Sequence, residues 1–283
     1  ICQQFGIEMI TVRMKEDGPD MDVIESLVRE DDSIKGIWCV PKYSNPTGIT
    51  FSDSVVERLA TMKTAASDFR IFWDNAYMVH SLYDEDDKLK NIFDVARKAG
   101  TMNRIYSFAS TSKITFAGSG ISAIAASEEN IKDIMGKMFF KCINANKVNQ
   151  VMHVNFLKNA DGVREVMKKH AALLRPKFEL FDKKFTEAFD GDEFVKWSKP
   201  RGGYFISVDV KSCAKRIVEL AATAGVKFTA AGATFPYKLD DMDSNIRVAP
   251  SVPSLEEMEF AIDVMISAIR QARMEIVLAK TKS

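Results

Sequence analysis

Short apolar runs alternate with amphipathic patterns of helical period through the first half of this chain, and that alternation leaves few folds open. Glu8 to Arg13 reads as a strand and Gly18-Pro19-Asp20 as a turn. From Asp22 to Glu30, Val23, Ile24, Leu27 and Val28 recur at helical spacing. Gly36-Ile37-Trp38-Cys39-Val40, bounded by Pro41, is an uninterrupted apolar run that suits a parallel strand buried on both faces. Ser52 or Asp53 can cap a helix whose inner face carries Val55, Val56, Leu59 and Met62. Arg70-Ile71-Phe72-Trp73 and Arg104 to Phe108 are the next strands, and Gly120 to Ala126 reads as a further buried strand. The pattern predicts an open, mostly parallel α/β sheet with helices on its faces.

The second half changes character. From Asn155 to Phe189 turn signals nearly vanish, Gly162 and Pro176 apart. Val163, Val166, Met167, His170, Leu173, Leu174 and Phe178 recur at three and four, which predicts one long helix bent at Pro176. Beyond it lies a smaller α+β unit. Gly202 to Asp209 opens a strand, and Ala214 to Ala224 is a helix ended by Gly225. Val226 to Thr229 and Asn245 to Val248 are short strands. Leu255 to Ala279 is a final amphipathic helix, started by Ser254 with Glu256 and Glu257 in its first turn. With 283 residues, the chain has room for two domains. The expected division is a large domain over 1–160, incomplete at its N-terminus, an interdomain helix over 161–190 and a small C-terminal domain over 191–283.

Composition removes several function classes. Lys plus Arg and Asp plus Glu balance at 39 each, which gives no electrostatic argument for nucleic acid or an anionic membrane. No stretch of apolar residues is long enough to span a bilayer. Cys2, Cys39, Cys142 and Cys213 are scattered, without a CxxC pair or a histidine at metal spacing. They read as reduced, cytoplasmic thiols, and no metal is expected. His80, His153 and His170 are isolated in sequence. The opening, Ile1 to Ile10, has neither a basic flank nor an apolar core of signal length; it reads as the interior of a domain, so the chain is expected to begin inside a longer protein.

Polar segments that end the strands carry the chemistry. Ligands of open α/β sheets gather at strand carboxyl ends, where Asp74-Asn75-Ala76-Tyr77 and Ser110-Thr111-Ser112-Lys113 fall. A lysine amine that is partly deprotonated and held close can condense with an aldehyde, whereas most lysines are solvated surface charges. Ser110, Thr111 and Ser112, with strand-end N–H groups, can bind a phosphate. A carboxylate at Asp74 suits a cationic ring nitrogen, although alone it reads equally as a cap or turn residue. The Tyr77 phenol can donate to a ring oxygen, or can be an ordinary core tyrosine. Asn45-Pro46-Thr47-Gly48 is a turn whose Asn45 amide can also donate. Arg247 can grip a carboxylate with two parallel hydrogen bonds. Arg201, before Gly202-Gly203, is a weaker candidate, since those glycines suit close backbone approach.

In order, Tyr43-Ser44-Asn45-Pro46-Thr47-Gly48, Asp74-Asn75-Ala76-Tyr77, Ser110-Thr111-Ser112-Lys113, Pro200-Arg201-Gly202-Gly203-Tyr204-Phe205 and Asn245-Ile246-Arg247 resemble the fold-type I, class I/II pyridoxal-phosphate aminotransferases. Asn45 and Asp74 lie 29 residues apart, and Lys113 follows 39 further on. The wording around Lys35 to Tyr43 and Thr111 to Gly118 resembles the bacterial aspartate aminotransferase subgroup Ic. The resemblance covers nearly the whole chain. It implies the fold-type I transferase fold, a pyridoxal 5'-phosphate cofactor, amino acid and 2-oxo acid substrates and a homodimer. It also implies roles. Lys113 is the Schiff-base lysine and proton carrier, Asp74 the partner of the pyridine nitrogen, and Tyr77 and Asn45 the holders of the ring oxygen. Ser110 and Ser112 hold the phosphate, Arg247 binds the substrate α-carboxylate, and Asn45 also takes part in substrate binding. The expected activity passes an amino group from an L-amino acid, aspartate first, to a 2-oxo acid such as 2-oxoglutarate. Alternatives are a kynurenine or alanine transaminase or a β-lyase on the same cofactor, and an aminotransferase-like regulatory or non-catalytic module. Two departures stand out. Many relatives carry a phosphate-binding arginine eight residues after the lysine, where this chain has Ile121. The N-terminal arm, the phosphate-cupping glycine/serine segment and the ring-stacking aromatic are expected in on the order of a hundred or more residues that precede Ile1.

Overall fold

Three of the apolar runs pair side by side and in parallel, so their carboxyl ends share one edge of a sheet. The computed structural model describes residues 1–281. Its contacts divide the chain into two units. One comprises Val12–Ser44 and Ile49–His170; the other comprises Ile1–Thr11, Asn45–Gly48 and the chain from Ala171 onward.

In the first unit, β1 (Met14–Lys15) and β2 (Gly18–Pro19) form a short antiparallel pair. Helix α1 (Met21–Glu30) follows, capped by Asp20. Then come β3 (Gly36–Cys39), α2 (Asp53–Thr61), β4 (Arg70–Asp74), α3 (Ile92–Ala99), β5 (Ile105–Ser110) and β6 (Ser122–Ala126). The sheet order is β3-β4-β5-β6. The first two pairings are parallel and the last antiparallel. Helices α1, α2 and α3 bury one face, where Ile71, Trp73 and Ile105 meet Ile24, Val56, Leu59 and Ala96.

The opposite face differs from the expectation of a strand buried on both sides. Trp38, Phe72, Tyr106 and Phe108 form an aromatic ladder there, with Trp38 and Phe72 centroids 5.4 Å apart and Phe72 and Tyr106 5.9 Å apart. Trp38 is 62% exposed. An apolar run reports that side chains are apolar, but not that a helix lies over each face. Among the described residues strand β6 ends the sheet, and Ser122, Ala123 and Ala125 are exposed. Small side chains lose little by staying in water, so an Ala/Ser run carries a weak burial signal. The stretch Glu8 to Arg13 has no ladder partner and is not a strand, and Gly18-Pro19 pairs in β2 rather than turning.

Helices α4 (Glu128–Lys141), α5 (Lys147–Leu157) and α6 (Ala160–Phe189) follow. The long helical stretch is interrupted at Lys158, which adopts φ 62°. It is not interrupted at Pro176, where α6 continues through all of its 30 residues. One proline removes a single backbone donor, a loss a long helix can absorb. Gly162 permits the tight passage from α5 to α6, because a Cβ there would stand 1.8 Å from the Leu157 carbonyl oxygen.

In the second unit, β7 (Val195–Trp197), β8 (Ile206–Val210) and β9 (Asn245–Val248) form an antiparallel sheet in that order. Helices α7 (Ala214–Thr223) and α8 (Leu255–Thr281) complete the unit. Val226 to Thr229 is not a strand; Val226 N–H instead closes the end of α7 on the Ala221 carbonyl at 3.0 Å. Ser254 and Glu257 form a reciprocal capping box at the start of α8, with bonds of 2.8 and 3.2 Å. Phe181 and Phe185 stack at 4.1 Å, and Phe185 meets Trp197 at 5.6 Å. Asn245 is buried and fully engaged, donating to Ser207 Oγ and Asp209 Oδ1 and accepting from Thr234. Among the described residues no helix is long and apolar enough to cross a membrane.

Phe185 is wholly buried in this aromatic cluster. Phe185→Ala is expected to lower stability by about 3–5 kcal/mol, measured by urea unfolding followed by circular dichroism.

Candidate functional site

Each unit carries part of the predicted residue set. In the first, β4 ends at Asp74 and β5 at Ser110, two neighbouring strands with parallel direction. Asn75 N–H donates to the Phe108 carbonyl at 2.9 Å, tying the residue after Asp74 to the next strand. Asp74 is half-buried and Tyr77 buried. Asn75 Oδ1 is buried beside them without a hydrogen-bond partner. After β5 the chain makes one helical turn, with the Ile114 and Thr115 N–H groups both 2.9 Å from the Thr111 carbonyl. Lys113 rides on that turn, exposed, with Nζ 5.2 Å from the centroid of the Tyr77 ring. A cation over a phenol face is attracted by the ring quadrupole. Ser110 is half-buried and Ser112 exposed.

Ile121, which stands where an arginine is expected, takes part through its backbone. Its N–H donates to Thr111 Oγ1 and its carbonyl accepts from Thr111 N–H, each at 2.9 Å. Gly120 beside it is required by close approach: a Cβ there would lie 2.6 Å from Ser112 Oγ.

Two histidines that looked isolated in sequence hold this turn. The His80 Nε2 lies 3.1 Å from the Lys113 carbonyl oxygen. A carbonyl only accepts, so Nε2 carries the hydrogen. The His80 ring also meets the Tyr77 ring edge-on at 5.5 Å. Burial, above all, pulls its pKa down from 6.5 to about 4. His153, on α5, places Nδ1 2.8 Å from the Asn149 carbonyl and Nε2 2.9 Å from both Thr111 Oγ1 and Thr115 Oγ1. The Tyr77 to His80 spacing of three residues is a sequence signal for the first; no local pattern links His153 to Lys113.

In the second unit, Arg247 sits on β9 opposite Ser207 of β8. Its Nη1 donates to Asn45 Oδ1 at 3.3 Å, and its guanidinium lies 4.5 Å from the Phe205 ring centroid. Its Nε is buried without a hydrogen-bond partner. The Asn45-Pro46 bond is cis. Gly48 has φ 75°, and a Cβ there would stand 2.3 Å from Pro200 Cβ, so only glycine lets this turn rest against the segment before Arg201. Arg201 itself is exposed. The structure thus brings Lys113 to Tyr77 in one unit and Arg247 to Asn45 in the other.

A family model described as aspartate amino-transferase matches residues 1–281, and the chain belongs to that family. A relative from Mycolicibacterium smegmatis is 48% identical over 279 residues, covering 98% of this chain and 65% of its own length. An aspartate aminotransferase of Corynebacterium glutamicum is 46% identical over 280 residues, covering 97% of this chain and 64% of its own. The chain therefore spans just under two thirds of these relatives. A crystal structure of an aspartate transaminase from Corynebacterium glutamicum superposes with a TM-score of 0.94 at 45% identity, over 97% of this chain and 65% of that one. The α-aminoadipate aminotransferase of Thermus thermophilus, solved with N-(5'-phosphopyridoxyl)-L-leucine, shares the fold at a TM-score of 0.79 and 20% identity, over 95% of this chain and 67% of that one.

Membership implies pyridoxal phosphate, and the side chains present suit it. An amine, a carboxylate and a phenol stand with two serine hydroxyls at adjoining strand ends. The buried, unsatisfied Arg247 Nε is a donor suited to an incoming carboxylate.

The His80 shift sets a pH dependence. The folded ring resists protonation while the unfolded ring titrates near 6.5, so the unfolded state binds more protons between about 4 and 6.5 and stability falls as pH drops through that window. The wild type is expected to lose about 2 kcal/mol more than His80→Gln between pH 7 and about pH 5, measured by urea unfolding at both pH values.

Proposed function

We propose that the protein is a pyridoxal-phosphate-dependent aminotransferase that moves an amino group from an L-amino acid, aspartate, to a 2-oxo acid such as 2-oxoglutarate. The observation that carries this reading is the approach of Lys113 Nζ to the Tyr77 ring at strand ends shared with Asp74. Pyridoxal phosphate, when bound, supplies an aldehyde for the amino group and a ring that accepts the electron pair left at the substrate Cα. Lys113 Nζ would hold that aldehyde and would take the proton from the substrate Cα. The Asp74 carboxylate keeps a proton on the ring nitrogen by charge pairing. Tyr77 Oη donates to the ring oxygen. Asn45 turns its Oδ1 to Arg247, which leaves its Nδ2 as the donor that the family resemblance assigns to the cofactor. The Ser110 and Ser112 hydroxyls hold the phosphate, and the Arg247 fork grips the substrate α-carboxylate.

The reading extends to a cytoplasmic homodimer. It is supported by four free cysteines among the described residues, one of them the exposed Cys142. The exposed Phe139 and Phe140 of α4 and Met152 and Phe156 of α5 offer apolar surface that a second copy would cover.

The protein loaded with pyridoxal phosphate tests this. Lys113→Ala is expected to abolish the visible absorption band of the lysine-linked cofactor and to slow amino transfer by about 10³-fold or more. An unchanged band in that variant overturns the assignment. Arg247→Ala is expected to raise the KM for aspartate by about 100-fold. Rates with aspartate, alanine, kynurenine and cysteine conjugates, compared side by side, decide the donor; a rate with any of the last three above that with aspartate removes aspartate from the proposal.

A further inference from the structure

We propose that His153 is a positioning residue that, opposite His80, holds the turn carrying Lys113 in a fixed place. The inference rests on the aminotransferase reading of Lys113 and adds what keeps that amine aimed. Little of the turn is anchored by burial of its own side chains, because Ser112, Lys113 and Phe116 are exposed. Ile114 is the buried exception, seated on Val79, Leu157 and Met167.

Polar bonds do the rest, and their directions can be assigned. The Asn149 carbonyl only accepts, so His153 Nδ1 carries the hydrogen and Nε2 presents its lone pair. Thr111 Oγ1 already accepts the Ile121 N–H at 2.9 Å, so its own hydrogen goes to His153 Nε2. The result is a one-way chain from the start of β6, through Thr111, to the imidazole and on to α5. Thr115 Oγ1 lies 2.9 Å from the same nitrogen and 3.2 Å from the Thr111 carbonyl, so its one hydrogen is shared between them and the ring touches both the first and the last residue of the turn. Asn149 Nδ2 also donates to the Ser119 and Gly120 carbonyls, fixing the loop that leads out of the turn to the same helix. From the other side, His80 donates to the carbonyl of Lys113 itself. Chains of aligned bonds of this kind strengthen one another in a low-dielectric interior.

The test compares amides of two lengths in protein loaded with pyridoxal phosphate. A glutamine at 153 reaches the place of Nε2 and can meet both hydroxyls. An asparagine reaches only the place of Nδ1. His153→Asn is expected to lower kcat by about 10- to 100-fold with KM within about twofold, as for a misplaced reacting group. It is also expected to reduce the circular dichroism of the bound-cofactor band and the fraction of cofactor that borohydride fixes on Lys113. His153→Gln is expected to restore all three to within about threefold of wild type. Wild-type kcat and dichroism in His153→Asn, or a glutamine variant as impaired as the asparagine one, overturns the proposal. If His153→Asn does not fold, Thr115→Val decides in its place: a kcat loss of about threefold or more supports the role and an unchanged kcat overturns it. Wild-type protein in which borohydride fixes no cofactor on Lys113 overturns the function and this role with it; fixation in the wild type with unaltered variants overturns this role alone.

Discussion

Parallel pairing of β3, β4 and β5 is the constraint on which the first unit's chemistry depends. Parallel neighbours point their carbonyl ends the same way, so whatever follows each strand emerges at one edge. Asp74 and Ser110 end adjacent strands for that reason, and the bond from Asn75 N–H to the Phe108 carbonyl extends the pairing one residue past β4. Had β4 and β5 run antiparallel, as β5 and β6 do, Asp74 and Lys113 would emerge at opposite edges. The second unit meets a different need. Its antiparallel sheet presents Arg247 from β9, with Asn245 two residues earlier bonded to three side-chain partners, so the arginine projects from a braced strand.

What could be read from the sequence follows the range of the signal. Lys113, Asp74, Tyr77, Asn45 and Arg247 each sit in a short motif whose turn chemistry or strand-end place is local, and the ordered spacing of those motifs carried the family. The helices begin near where their caps indicate, Ser52 at α2 and Ser254 at α8. Errors arose where a local pattern has two tertiary outcomes. The Trp38 run reads the same whether its second face meets a helix or other aromatic rings. The Ala/Ser run of β6 reads as buried, while among the described residues it ends the sheet with Ser122, Ala123 and Ala125 exposed. The expected long helix is divided at Lys158, just before Asn159 and Gly162, where Asn159 Oδ1 accepts from Gly162 N–H, while Pro176 lies inside α6 without ending it.

The histidines show the opposite limit. His153 reaches the lysine turn only because α5 returns beneath it, a contact between segments far apart in the chain, and no periodicity encodes it. Its value lies in geometry: a rigid ring with an acceptor and a donor at fixed angles can tie the helix carbonyl of Asn149 to the Thr111 hydroxyl. Ile121 teaches a related lesson. Where the family resemblance leads one to expect an arginine side chain, the Ile121 backbone braces the turn through Thr111, a duty that does not depend on the side chain.

The aromatic ladder on the sheet has an optical consequence. Of the three tryptophans, Trp73 is sealed in the core against Phe51 and Trp197 donates to Asp182 inside the second unit. Trp38 alone is largely open to water. Its emission is therefore the most open to quenching from solution, with Trp73 sealed and Trp197 partly covered, and anything that settles on that face of the sheet takes the indole out of water. The chain carries its own fluorescent gauge of whether that face is covered.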